Sequence, residues 1–151
     1  MRCKLETPAG AICVHCVHLY TLRRGLNAVI AGGRDGAPEL DRAAAIRSEE
    51  SELAGRFVND CPEPSLVLGD FNLVDDSQVY ARDWQDWQNA FSRRGFGLGY
   101  TFSASQIRLR IDHILADRAH WHIRSCRVGP ELGGQHRPVI AELVLLGKGE
   151  E

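Results

Sequence analysis

Ser65-Leu66-Val67-Leu68-Gly69-Asp70-Phe71-Asn72 is a short apolar run that ends in an acid and an amide two residues apart. Ser65 to Gly69 reads as a buried strand, because its apolar residues are consecutive rather than alternating with polar ones. The strand delivers Asp70 and Asn72 to the point where the chain leaves the sheet, and α/β sheets bind ligands at such strand ends. A carboxylate there can hold a divalent cation or orient a water, and an amide can donate to a phosphate oxygen. The same two residues also suit a plain turn, in which Asp70 and Asn72 cap the chain.

Outward from this run the periodicity alternates between strand and helix. Met1 to Glu6 reads as a strand, Pro8 to Gly10 as a turn, and Ala11 to Leu19 as a strand apolar on both faces. Gly32, Gly33, Gly36 and Pro38 predict a loop, and Glu39 to Asn59 a helix stopped by Pro62 and Pro64. Asp83 to Arg94 predicts a second helix, with Trp84, Trp87 and Phe91 as core residues at helical spacing. Glycines 95, 97 and 99 predict a flexible loop. Further strands are expected at Arg110 to Leu115, His122 to Val128 and Pro138 to Leu146. The alternation makes an α/β domain spanning 1–151, with a frayed end from Gly147 to Glu151.

Two more segments carry chemistry. In Arg108-Leu109-Arg110-Ile111-Asp112-His113-Ile114-Leu115, strand alternation puts Arg110, Asp112 and Ile114 on one face and Ile111, His113 and Leu115 on the other. Asp112 then interrupts an apolar strand and needs a partner, since an unpaired buried carboxylate is costly. Gly133-Gly134-Gln135-His136-Arg137-Pro138 supplies one: a glycine pair aims His136 from a loop just before a strand. An Asp112–His136 pair would fix the imidazole tautomer and prepare a general base. Val17-His18-Leu19 brings a second histidine to the end of an earlier strand.

Read in order, strand-His-Leu, strand-GDFN, RIDHIL and HRPV resemble the endonuclease/exonuclease/phosphatase superfamily. The resemblance implies a two-sheet β-sandwich flanked by helices, of which this chain matches about the C-terminal half. It implies that Asp70 orients the attacking water or binds metal, and that Asn72 contacts the scissile phosphate. Asp112 would hold His136, as general base or as a stabiliser of the phosphoryl oxygens, and His18 would be the second active-site histidine. Arg110 is expected with Asn72 and His18 on the substrate phosphate, and Asp70, Asn72 and His136 on Mg²⁺ or Mn²⁺. The implied reaction is metal-assisted hydrolysis of a phosphodiester or phosphomonoester, with DNA the expected substrate; the alternatives are a weakened remnant that binds phosphate or nucleic acid, or a fragment that needs a separate first half. Gln135 stands where the family usually carries an aspartate. The family's first half, with its metal-binding glutamate, is not matched. A half sandwich would leave an apolar sheet face, so either a pared-down sandwich or a homodimer is expected.

Composition adds little bias. The net charge is −2 for 151 residues, but eight arginines fall between Arg93 and Arg137 against only Asp112, Asp117 and Glu131. That segment fits a basic face for a phosphodiester backbone or an ordinary solvated surface. No stretch reads as a membrane span. Five cysteines without framework spacing suit a reducing cytoplasm. Cys13-Val14-His15-Cys16 invites a zinc or redox reading, but no second ligand pair follows at matching spacing, so buried structural thiols are expected.

Overall fold

The computed structural model describes residues 1–105 and 107–146; the expected frayed end at 147–151 lies outside them. The chain runs β1 (Arg2–Thr7), β2 (Gly10–His18), α1 (Arg23–Gly32), a 3₁₀ turn (Gly33–Gly36), α2 (Ala37–Asn59) and β3 (Ser65–Asp70). There follow α3 (Gln78–Trp84), β4 (Gln88–Asn89), α4 (Ala90–Arg94), β5 (Phe102–Ala104) and β6 (Ile107–Leu109). The last strands are β7 (Asp112–Ala116), β8 (Trp121–Val128) and β9 (Val139–Leu145). Five strands form one sheet in the order β1-β2-β3-β7-β4, in which β2 and β3 are parallel and the other pairs antiparallel. β8 and β9 form a second, two-stranded sheet, and β5 and β6 a hairpin.

The large sheet is covered on both faces, as its consecutive apolar residues require. On one face Val67, Leu115, Phe71 and Leu73 pack with Val58 of α2 and with Tyr80, Trp84 and Trp87. On the other, Ile12, Ala116 and Trp121 pack with Leu66, Leu143 and Leu145, and Ile114 packs with Phe91, Ile123 and Cys126. The arrangement is therefore α/β, with the second sheet and α4 on one side of the large sheet and α2 and α3 on the other.

Three expectations need correction. Gly32, Gly33, Gly36 and Pro38 do not open a loop, because the segment is helical on both sides. A Cβ on Gly25 would lie 2.5 Å from the Leu40 Cα, and one on Gly36 would lie 2.3 Å from the Ala28 carbonyl. These glycines let α1 and α2 approach backbone to backbone, while Pro38 starts α2, where its missing N–H is no loss. The single helix expected over Asp83 to Arg94 is broken in two. The Asn89 side chain accepts from the Phe91 and Ser92 amides and caps a new short helix, and Gln88-Asn89 pair with the edge of β7. All three aromatics of that segment are nonetheless core.

The third correction concerns cysteine. Cys13 is joined to Cys61 by a disulfide spanning 48 residues, and Cys3 and Cys16 are exposed. Of the free thiols only Cys126 is buried.

Candidate active site

Strand register assembles the site. In the parallel β2–β3 pair His18 stands opposite Asp70, and in the antiparallel β3–β7 pair Asp70 stands opposite Asp112. Three neighbouring strand ends thus present His18, Asp70 and Asp112 in a row. His136 arrives from the loop before β9, where its backbone forms an isolated bridge with Phe102 and its ring lies 5.0 Å from the Phe102 ring.

The Asp70 carboxylate has two different ends. Oδ1 accepts the Asn72 amide at 2.8 Å, so the turn that these two residues also suit is present. Oδ2 faces the histidines, 3.8 Å from His18 Nε2 and 4.0 Å from His136 Nε2. Burial and the facing Asp112 carboxylate push the Asp70 carboxyl above its ordinary range, against the pull of the Asn72 amide and the two histidines. Asn72 itself sits at φ 48°, a left-handed conformation that asparagine tolerates better than most residues. Its Nδ2 donates to the Leu19 carbonyl at 2.8 Å, leaving Oδ1 and a second amide hydrogen for a ligand. Arg47 of α2 donates to the Asn72 carbonyl from behind.

His136 Nδ1 lies 2.9 Å from Asp112 Oδ2 and 3.2 Å from Oδ1, the pair expected from the sequence. A carboxylate can only accept, so Nδ1 carries a proton, and Nε2 is left facing Asp70. Asp112 is positioned by Thr101, a fully buried residue whose Oγ1 accepts the amides of Ile111 and Asp112 at 3.1 and 3.0 Å. Gln135 is held by Arg23 of α1, whose Nη2 donates to its Oε1 at 2.8 Å. Asp70, Asp112 and His136 bring one ligand atom each within 4.8 Å of one another. Two carboxylates and an imidazole, one carboxyl already disfavouring its charge, fit a hard divalent cation.

Arg110 departs from expectation. Its Nη2 donates to Asp75 at 2.6 Å and Nη1 to Ser92 at 2.9 Å, with the guanidinium over the Phe91 ring. It ties α4 to the loop after β3 rather than facing the Asp70 group. His113 behaves as the alternation implies: it is buried beside Phe71 and Tyr80, and donates from Nε2 to the Leu73 carbonyl at 2.8 Å. Thr101, Arg23 and Arg47 were not legible as site residues, because their roles exist only once distant segments meet.

The electrostatics give a direct test. A folded-state carboxyl raised above its unfolded value costs stability at neutral pH, where it is ionised, and the cost vanishes as pH falls. Asp70→Asn removes the charge, so it should raise the melting temperature of the metal-free protein, measured by calorimetry at pH 7. Mn²⁺ should raise the melting temperature of the unsubstituted chain and not of the variant. A lower melting temperature together with a surviving Mn²⁺ shift would contradict this geometry.

The sequence matches the Endonuclease/Exonuclease/phosphatase family over residues 2–136. No match was found among curated proteins. Among solved structures, a functionally unknown conserved protein from Enterococcus faecalis superposes with TM-score 0.60 at 17% identity, over 93% of this chain and 52% of that one. The human Nocturnin catalytic domain superposes with TM-score 0.60 at 18% identity, over 95% and 51%. A 3'-5' exonuclease from Neisseria meningitidis gives TM-score 0.52 at 18% identity, over 93% and 64%. The chain therefore spans about half the length of the first two. At these identities the likeness is one of fold.

Proposed function

Since the chain belongs to the endonuclease/exonuclease/phosphatase family, we propose that it is a divalent-metal-dependent phosphodiester hydrolase, and specifically a nuclease acting on DNA. Members of the family hydrolyse phosphate esters. The observation that carries the reading to this chain is the convergence of Asp70, Asp112 and His136, with His136 Nδ1 locked on Asp112.

Each residue has a role its geometry supports. Asp70 Oδ2 and His136 Nε2, 4.0 Å apart, can share one water between them. Asp70 orients that water, and Nε2 takes its proton as the oxygen attacks phosphorus in line with the leaving group. Asp112 keeps the proton on Nδ1 and stabilises the imidazolium that forms. The free hydrogen of Asn72 Nδ2 donates to a phosphoryl oxygen, and His18, exposed at its strand end, reaches the phosphate or the leaving group. Mg²⁺ or Mn²⁺ on Asp70, with Asn72 Oδ1 and waters, would neutralise charge developing on the phosphoryl oxygens. His136 was also a candidate ligand from the sequence, but its tie to Asp112 and its shared reach with Asp70 favour the base.

The choice of DNA rests on one similar fold, a 3' phosphatase from Neisseria bound to a product DNA hairpin, and on the arginine-rich second half. No described helix is long and apolar enough to cross a membrane. Parallel assays on double-stranded DNA, single-stranded DNA, RNA and a phosphomonoester should give the highest kcat/KM on DNA. A phosphomonoester preferred over every polymer would reject the nuclease assignment and leave the phosphoesterase.

A further inference from the structure

The Cys13-Val14-His15 segment lacks a second ligand pair in the sequence around it, but the fold supplies one. Cys13 and His15 lie two residues apart on β2 and share the face that packs against α2. Where α2 ends, Cys61-Pro62-Glu63 crosses back over that face on its way into β3. One ligand atom from each of Cys13, His15 and Cys61 lies within 4.8 Å of the others. Glu63 Oε2 is 3.1 Å from Cys61 Sγ and 3.7 Å from Cys13 Sγ.

His15 is the independent sign that this cluster lacks a ligand. Its side chain is 1% exposed, and neither ring nitrogen has a hydrogen-bond partner. Native interiors rarely leave a buried imidazole unsatisfied at both nitrogens, so each such case calls for a missing partner. Its neighbours are the Phe57 ring, edge-on at 5.9 Å, and the sulfurs of the Cys13–Cys61 disulfide. The charged groups that bear on the ring are Arg2, which lies over Phe57, and the N-terminal ammonium, while Glu63, beside the two sulfurs, is paired with Lys4.

We propose that Cys13, Cys61, His15 and Glu63 form a second metal site, of the four-coordinate zinc type, in the reduced protein. The Cys13–Cys61 disulfide is its oxidised, metal-free form. Two thiolates, an imidazole and a carboxylate are ligands that Zn²⁺ takes, at about 2.3 Å for sulfur and about 2.0 Å for nitrogen and oxygen. The site shares no residue with the Asp70 group, whose hard oxygen ligands suit Mg²⁺ or Mn²⁺ instead.

The redox step balances with a small-molecule thiol as reductant. Two equivalents of the thiol reduce the disulfide to two cysteines and leave as one small disulfide. The two cysteines then lose two protons as Zn²⁺ binds. In reverse, a small disulfide oxidises the two thiolates, two protons return to the departing thiols, and Zn²⁺ is released. Because β2 runs from this cluster to His18, the site clamps the start of a strand whose end lies in the active site. It is thereby placed to couple zinc and thiol redox state to local stability.

The test uses the full chain, reduced with a phosphine and stripped of metal. Two substitutions make the background clean: Cys3→Ser with Cys16→Ser removes the exposed thiols, and Asp70→Asn disables the oxygen site. Titration with Co²⁺ should show one equivalent bound, with sulfur-to-cobalt charge transfer and the intense visible bands of tetrahedral coordination. Both signals should vanish in Cys61→Ser, and His15→Ala should weaken binding at least tenfold. Zn²⁺ should displace the cobalt. Oxidation with a small disulfide should release one equivalent of metal per chain. Should the cysteine variant fail to fold, alkylation followed by mass spectrometry on the unsubstituted protein decides. Zn²⁺ should protect Cys13 and Cys61 and leave Cys3 and Cys16 reactive. No bound equivalent in the reduced protein, unchanged cobalt spectra in Cys61→Ser, or no protection of Cys13 and Cys61 would each overturn the proposal.

Discussion

His136→Ala should lower the turnover of phosphoester hydrolysis by about 10²–10⁴-fold, the usual worth of a positioned acid–base group. The expectation rests on Nε2 facing the Asp70 carboxylate while Nδ1 is held by Asp112. Asp112→Asn should cost somewhat less, because an asparagine can still meet the ring but favours the wrong tautomer. The double variant should be little worse than His136→Ala alone, since residues acting as one unit lose activity non-additively. His113→Ala is the control. It lies on the opposite face of β7, bonded to the Leu73 carbonyl and the Asn89 amide, and should reduce stability more than rate. If the His136 and Asp112 losses multiply, or if a folded His113→Ala is the slower enzyme, the assignment of base and orienter is wrong.

Gly69→Ala should have the largest effect among substitutions that touch no substrate. Gly69 holds φ at 143°, and a Cβ there would sit 1.9 Å from the Val17 carbonyl oxygen of the neighbouring strand. No rotamer relieves that contact, because both atoms belong to backbone or Cβ. β2 and β3 would have to separate where His18 and Asp70 are paired. Strain at such a φ and overpacking each cost on the order of 1–3 kcal/mol, so a loss of about 2 kcal/mol or more is expected in urea unfolding. Activity should fall with it even in the folded fraction, because the spacing of His18 and Asp70 is set by that register. A variant with unchanged stability would mean that the strands are not joined as described.

How much of this could be read in advance depends on how local each feature is. β3 and its Asp70-Phe71-Asn72 exit are a property of eight consecutive residues, and the structure keeps them. The two faces of β7 follow from period-two alternation, which put Asp112 toward His136 and His113 into the core. The helix over Asp83 to Arg94 failed because the Trp84–Trp87–Phe91 spacing suits a helix and equally suits two short elements packing on one core. What broke it was Asn89, a cap whose effect depends on β7 being alongside. α1 was missed because Gly25 lowers its helix preference, while Leu26 and Ile30 stay largely exposed, so its periodicity carries little burial signal. Arg110 looked like a phosphate ligand by position, yet Asp75 and Ser92 claim its guanidinium across the fold. Cys61 and Glu63 were invisible as partners of Cys13 and His15, since only the return of the chain after α2 brings them together.

In the proposed mechanism three strand ends and one loop build a hydrolytic centre that works through a cation on Asp70. Its most direct test is the initial rate of cleavage of a chromogenic phosphodiester against rising Mn²⁺, for the unsubstituted chain and for Asp70→Asn. The expected result is a saturable Mn²⁺ dependence that a chelator abolishes and that the variant lacks while keeping its circular dichroism spectrum. A full rate in chelator with metal removal verified, or an equal rate in folded Asp70→Asn, would contradict it.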